Sequence, residues 1–157
     1  MLWIQKKLRE VAGCFPTGVT IVSCINPVGD IHGMTASSFL SVSLSPALVL
    51  FSVMNENQLA GYLKEGMPMG ISILSEKMEA VSNHFAKIKL LEQSPVFSIK
   101  AEAPVLEDSQ GWYSTKVEQL IPAGDHLLVI CRVVDLAART EENPLVYFKG
   151  YKKIAPS

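Results

Sequence analysis

The chain has 157 residues and a formal net charge of −1; 48% of its residues are hydrophobic and 18% are charged. This length fits one domain spanning residues 1–157, and the mixed charges give no basic surface of the kind that binds nucleic acid. The apolar runs are shorter than the roughly 20 residues that a membrane span needs. The hydrophobic excess predicts that a second subunit covers part of the surface.

The cysteines and the N-terminal residues both indicate the cellular compartment in which the protein works. Cys14, Cys24 and Cys131 have no C-x-x-C spacing, so we expect free, mostly buried thiols in a reducing environment. The first 15 residues mix charged with apolar side chains and lack the uninterrupted apolar core of a signal peptide. Both features predict a cytoplasmic protein.

The first half of the chain begins with a helical pattern and continues with strands. Apolar residues at helical spacing predict a helix that Pro16 ends. Strands are predicted at residues 18–25, 31–37 and 47–53, and the last of them is buried. A turn at residues 26–30 separates the first two strands, and a break at residues 43–46 precedes the third. Residues 58–64 predict a short helix, for which Asn57 is the N-cap.

The second half contains one more predicted helix and four more strands. Residues 75–85 fit a helix capped by Ser75, and residues 86–95 predict a mobile loop. The strands are predicted at residues 69–74, 112–121, 125–138 and 144–150. Because strands and helices do not alternate regularly, the predicted class is mainly β: a closed antiparallel barrel with short flanking helices.

Several common catalytic signatures are missing from the sequence. It has no G-x-G-x-x-G, no Walker A run and no G-x-S-x-G elbow. His32, His84 and His126 are scattered without a metal-ligand spacing, so no metal site is expected.

Small and hydroxyl residues at positions 35 to 38 are the best candidate site. The residues are Thr-Ala-Ser-Ser, and they come shortly before a strongly apolar strand. Such small side chains allow backbone N–H groups to approach an anion. The alternative is a solvated edge or bulge. His126, which follows Gly124-Asp125, is a second candidate, and its alternative is a histidine in a surface turn. For His84-Phe85 the alternative is a cationic histidine at a helix C-terminus, followed by a phenylalanine packed in the core.

These signals gain weight from their order along the chain. The segments are FPTGVTIVS, HGMTASSFLSVSLSPALVLFSV, HFA, AGDHLLVICRVVDL and PLVYFKG. Together they resemble the short-chain flavin reductases, the reductase components of two-component flavin-dependent monooxygenases, over most of the chain. The resemblance implies an FMN-binding split β-barrel, a homodimer with its flavin sites near the subunit interface, and hydride transfer from NADH or NADPH to FMN or FAD. A separate oxygenase would then use the reduced flavin.

The resemblance also implies a set of cofactor-binding residues. These are Thr35, Ala36, Ser37 and Ser38 along the ribityl chain and phosphate, Ser52, Val53 and Met54 at the isoalloxazine ring, Asn57 near the phosphate, and Ser72, His84, Phe85 and His126. Met54 and Ser72 stand where the family often has asparagine. Phe85 and the loop after it are expected on the nicotinamide side. His126 is the candidate for positioning the nicotinamide, as a neutral imidazole that donates to the carboxamide oxygen. No catalytic side chain is expected, because flavin itself accepts the hydride.

Two other functions fit the same fold. One is a flavoprotein that holds FMN tightly as an electron carrier or sensor, without turnover of free flavin. The other is an enzyme resembling pyridoxamine-phosphate oxidases, which would need basic residues for a second phosphate. Arg9, Arg132 and Arg139 are the only arginines, and they form no cluster in the sequence.

Overall fold

The computed structural model describes residues 2–139, 141–152 and 154. The strands are β1 (Thr17–Gly18), β2 (Thr20–Ile25), β3 (Ile31–Ala36), β4 (Leu40–Leu44), β5 (Ala47–Met54), β6 (Pro68–Ile73), β7 (Phe97–Lys100), β8 (Ala103–Leu106), β9 (Gly111–Ala123), β10 (His126–Ala138), β11 (Val146–Tyr147) and β12 (Tyr151–Lys152). The α-helices are α1 (Leu2–Ala12) and α2 (Glu79–Phe85), and two 3-10 helices cover Gln58–Gly61 and Glu76–Met78.

A seven-stranded antiparallel sheet forms the body of the molecule. Its strand order is β3-β2-β6-β9-β10-β5-β4, and the smaller sheets are β1-β11-β12 and β7-β8. β9 and β10, with 13 residues each, pair along their full length. The predicted mainly β class, with antiparallel strands and short helices, is confirmed.

The concave side of the sheet encloses the main core. Alternate residues of β5 show how the sequence builds it, because Val49, Phe51 and Val53 are buried while Leu50 and Ser52 between them are half-buried. They pack with buried side chains of the other strands, including Val22, Cys24, Met69, Ile71, Val129 and Cys131. Burial raises the pKa of the Cys24 and Cys131 thiols to about 11. Cys14, in contrast to the expected burial, is exposed.

The edge strand β3 approaches β5, the strand next to the opposite edge of the sheet. The N–H of Ser52 in β5 donates to the Ser38 hydroxyl oxygen at 3.0 Å, and that hydroxyl donates to the Ser52 carbonyl at 3.2 Å. Ser38 therefore joins the chain leaving β3 to the far side of the sheet. No strand fills the space beside this contact, and an opening remains there.

Four strands of the structure, β4, β7, β8 and β12, were not predicted. β4 lies across the predicted break at residues 43–46 and turns there into β5. β7 and β8 form a hairpin whose turn residues, Ala101 and Glu102, adopt positive φ without being glycine, so the sequence gives no turn signal. β8 crosses β6 closely: a Cβ at Gly70 would lie 1.7 Å from the Pro104 carbonyl oxygen. Glycine at position 70 makes that crossing possible.

The helices differ from their predicted form in detail. α1 confirms the first helix, yet none of its residues is buried. The Asn57 side chain caps a shorter 3-10 helix by accepting from the Leu59 N–H at 2.9 Å. The helix predicted at 75–85 splits into a 3-10 turn and α2, and the Ser75 side chain makes no capping bond. In the described residues, no helix has both the length and the apolar character to cross a membrane.

Candidate functional site

A cavity of about 440 Å³ lies at the opening between β3 and β5. This volume is within the usual range for small-molecule sites. It is lined by Met34, Thr35, Ala36, Ser37, Ser38, Ser52, Val53, Met54, Asn57, Phe85, Ala86, Lys87 and His126. The structure thus brings together all the predicted cofactor-binding residues except Ser72 and His84.

Two hydroxyls of the run at 35 to 38 hold the walls of the cavity in place. The Thr35 hydroxyl donates to the Ser82 carbonyl at 2.6 Å and so fixes α2 against β3. The Ser38 hydroxyl makes the two bonds with Ser52 described above. Neither group is free to be the main partner of a ligand, because its bonding capacity is directed at the protein backbone.

Ser37 is the hydroxyl residue of this run that faces solvent. Among the described residues, its side chain and the N–H groups of Ser37 and Ser38 make no hydrogen bond. Polar groups left without a protein partner are satisfied by water or by a ligand. Three donors are therefore available to water or to a ligand at this end of the cavity, and Ala36, which is buried, adds no bulk there.

The end of β5 supplies a more apolar wall. Val53 is buried, whereas the Met54 side chain is 49% exposed and lies opposite His126 in the pairing of β5 with β10. Asn57 lies beyond the end of this strand and its side chain is used as a helix cap. This wall suits a flat apolar ligand surface better than a charged one.

His126 stands at the rim of the cavity in a fixed orientation. Its Nδ1 lies 2.6 Å from the Asp125 carboxylate, and the imidazole lowers the pKa of that carboxyl. The Asp125 carbonyl in turn accepts from the Asn55 N–H at 2.9 Å, which ties this turn to the end of β5. The side chain is 37% exposed, so His126 borders both the cavity and solvent.

Phe85 closes α2 and packs directly on β3. A Cβ at Gly33 would lie 2.7 Å from the Phe85 ring, so the glycine makes room for it. The ring also contacts Phe97 edge-on, which anchors it in the second hydrophobic core. Phe85 is thus both a core residue and a cavity wall.

Ser72 and His84 lie outside the cavity. Ser72 is fully buried in β6, and its hydroxyl oxygen accepts from the Leu106 N–H at 2.9 Å. The His84 Nδ1 accepts from the Leu91 N–H at 3.0 Å and holds the loop after α2. The Ser72 hydroxyl and the His84 Nδ1 are thus bonded to the backbone, and the cofactor contacts expected of these two residues stay predictions.

Met34, which was not predicted, also lines the cavity, as do Ala86 and Lys87. The last two lie in the loop that the resemblance placed on the nicotinamide side, although neither residue was singled out in it. Thr35, Ser37 and Ala86 also line an adjoining cavity of about 310 Å³ that extends to Tyr147 and Tyr151. In the described residues, no group of three or more His, Cys, Asp or Glu side chains is placed to hold a metal ion.

Comparison with known proteins agrees with this geometry. The family model for the flavin reductase like domain matches residues 12–155. The NADH-dependent flavin reductase StyB of Pseudomonas fluorescens is 34% identical over 144 residues, which cover 89% of this chain and 84% of that protein. The reductase component of 4-hydroxyphenylacetate 3-monooxygenase from Thermus thermophilus is 32% identical and covers 96% of this chain and 97% of its own. The solved structure of the flavin reductase PheA2 superposes with a TM-score of 0.90 at 34% identity, covering 96% and 98% of the two chains.

The two serines of the cavity give a matched test of their roles. Replacing Ser38 with alanine leaves the Ser52 N–H without its acceptor, so we expect the free energy of unfolding to fall by about 1–3 kcal/mol. Ser37→Ala removes an exposed hydroxyl and should stay within about 0.5 kcal/mol of the wild type. Urea unfolding measures both, and equal stabilities for the two variants would contradict the structural role of Ser38.

Proposed function

Because the chain belongs to the flavin reductase-like domain family, we propose that it is an NAD(P)H:flavin oxidoreductase that reduces FMN or FAD and supplies the reduced flavin to a separate monooxygenase. Relatives described as NADH-dependent flavin reductases, and others as monooxygenase reductase components, support this activity. Their description also favours NADH over NADPH as the hydride donor. The observation that carries the proposal is the cavity in which free donors and an apolar wall face one another.

The residues of the cavity fit a phosphorylated flavin. The Ser37 hydroxyl and the free N–H groups of Ser37 and Ser38 suit a phosphate, which needs several converging donors. Val53, Met54 and Phe85 provide the apolar surface that a flat ring system needs. A bound flavin supplies the hydride-accepting atom, so the protein need not supply a nucleophile or a general acid.

The chain's own tasks are binding, orientation and exclusion of water. Thr35 and Ser38 hold the two walls at a fixed separation through their bonds to Ser82 and Ser52. Fixed walls keep two reactants in a reactive arrangement, which lowers the entropic part of the barrier. We propose that the loop after α2 covers the nicotinamide side, since Phe85 anchors its start.

His126 is the side chain that we propose for positioning the nicotinamide. The Asp125 carboxylate accepts hydrogen bonds, so the Nδ1 facing it carries the proton. In the neutral ring the other nitrogen, Nε2, is then an acceptor. The nicotinamide contact expected from the sequence is therefore revised: neutral His126 would accept from the carboxamide N–H₂ group instead of donating to its oxygen.

The alternative functions gain no specific support. For a second phosphate, as in relatives of pyridoxamine-phosphate oxidases, arginines should border the cavity. Arg9 lies on the exposed helix α1, Arg132 pairs with Glu118 at 2.7 Å, and neither they nor Arg139 line the cavity. A tight flavoprotein without turnover of free flavin differs from the proposal in kinetics, and the following assay separates the two.

We expect oxidation of NADH to depend on added flavin. The purified protein should oxidise NADH slowly alone and at a rate that saturates with added FMN or FAD, with NADPH as the comparison donor. A bright yellow protein with one FMN per chain, whose rate does not respond to added flavin, would contradict the reductase and support the carrier or sensor.

His126→Ala tests the nicotinamide role. Loss of one hydrogen bond of ordinary strength should lower kcat/KM for NADH roughly three- to tenfold at saturating flavin, while the flavin Kd barely changes. Fluorescence quenching gives the flavin Kd of the same variant. Unchanged kinetics would make His126 a surface turn residue, and a large rise in flavin Kd would assign it to the flavin instead.

We also propose a homodimer with the flavin site near its interface. Large apolar side chains are exposed on α1 and on the edge strand β4, including Trp3 at 69% and Leu44 at 97%. β4 pairs with β5, whose end lines the cavity, so a subunit docked on β4 would lie close to the site. Sedimentation at micromolar concentration should give twice the 17.2 kDa chain mass; a monomer would contradict the dimer.

The compartment that we propose is the cytoplasm. NADH is an intracellular co-substrate, and Cys14, Cys24 and Cys131 are free thiols, as is usual for proteins in a reducing environment.

A further inference from the structure

Lys87 is a cation that the sequence motifs do not explain. Among the described residues that line the cavity, it is the one lysine or arginine. Its side chain is exposed, and no carboxylate of the described residues lies within ion-pair distance of it. Its positive charge is therefore available to a ligand in the cavity.

The backbone of Lys87 adopts a conformation that favours glycine. It has φ of +59° and follows the C-terminus of α2. The Ile88 N–H donates to the Asn83 carbonyl at 3.0 Å and the Lys87 N–H donates to the His84 carbonyl at 3.1 Å. This is the Schellman pattern, in which the left-handed residue is usually glycine. Glycine would satisfy the fold with less strain, so the turn itself does not require a lysine at this position.

The ammonium of Lys87 lies near the start of β3, and the free donors follow the other end of that strand. His32 lies on β3, and its pKa is lowered by burial first and by the nearby Lys87 ammonium second. Ser37, with its free hydroxyl and N–H, directly follows the same strand and lines the same cavity as Lys87. A cation and uncharged donors thus face one space from two sides, from the loop after α2 and from the end of β3.

We propose that Lys87 is the phosphate-binding cation of this cavity and makes the site select phosphorylated ligands. The proposal rests on the proposed function. Two ligands of that reaction carry phosphate, the flavin nucleotide and the nicotinamide nucleotide. The geometry favours the flavin phosphate, because the free donors of Ser37 and Ser38 lie in the same cavity.

Lys87→Gly separates ligand binding from folding. It relieves the left-handed strain, so the melting temperature of the ligand-free protein should rise by about 2–4 °C. The FMN Kd, by fluorescence titration, should rise about tenfold or more, since hydrogen bonds to charged groups are the stronger kind. Riboflavin lacks the phosphate, and its Kd should not change. A residue with a merely structural role would not weaken FMN binding while raising stability.

Three further variants complete the test. Lys87→Gln keeps the strain and removes the charge, so it should lose FMN affinity without gaining stability, and Lys87→Arg should restore most of the affinity. Lys89→Ala is the matched control, because Lys89 is exposed in the same loop but lines a different cavity. It should leave the FMN Kd unchanged.

The outcomes show whether the phosphate belongs to the flavin or to the nicotinamide nucleotide. They also separate a failure of the Lys87 assignment from a failure of the proposed reductase function. An unchanged FMN Kd with a raised KM for NADH in Lys87→Gly would keep Lys87 as a phosphate ligand and move it to the nicotinamide nucleotide. Unchanged values for both ligands, in a wild-type background that binds FMN, would overturn the role of Lys87 alone. A wild-type chain that binds neither ligand would overturn the proposed function and this assignment with it.

Discussion

The contact between Ser38 and Ser52 is the constraint on which the site depends. A seven-stranded antiparallel sheet twists, and its twist brings β3 near β5 without a strand to pair them. The two hydrogen bonds of the Ser38 hydroxyl bridge that gap at one point. Beside the bridge the gap stays open, and it is there that the cavity forms. The same closure of the sheet thus supplies both a frame and the opening that holds this cavity.

The run of small residues at 35 to 38 combines structural hydroxyls with the free groups proposed for binding. The Thr35 hydroxyl donates to a backbone carbonyl, and the Ser38 hydroxyl bonds both the carbonyl and the N–H of Ser52. Ser37, between them, keeps its hydroxyl and N–H free. Larger side chains would fill the opening, whereas small hydroxyl residues both close the sheet and leave room beside it. This explains why such residues directly precede a strongly apolar strand.

The sequence predicts the parts of the fold that rest on local pattern. β5 and β10 follow from their β-branched and apolar runs, and the cavity residues from the order of segments shared with a known family. β7 and β8 escape prediction because their turn has non-glycine residues at positive φ and their pairing depends on a close crossing at Gly70. Ser72 and His84 lie outside the cavity, since the Ser72 hydroxyl and the His84 Nδ1 accept from backbone N–H groups, which no sequence pattern reveals.

The resemblance places the loop that contains Lys87 near the nicotinamide, but neither pattern nor resemblance singles out the lysine. A lysine in a polar loop is usually a solvated charge, and only its backbone conformation marks it as costly. A non-glycine residue in the left-handed region is destabilising by about 1–2 kcal/mol relative to a right-handed one. Strain of this kind persists where the surrounding structure over-determines it, and it clusters at binding sites. Here the Schellman turn and the His84–Leu91 bond fix the loop on both sides of Lys87. The observed strain and the position of the charge at the cavity therefore have one common explanation, a requirement for the side chain that is stronger than the preference of the backbone.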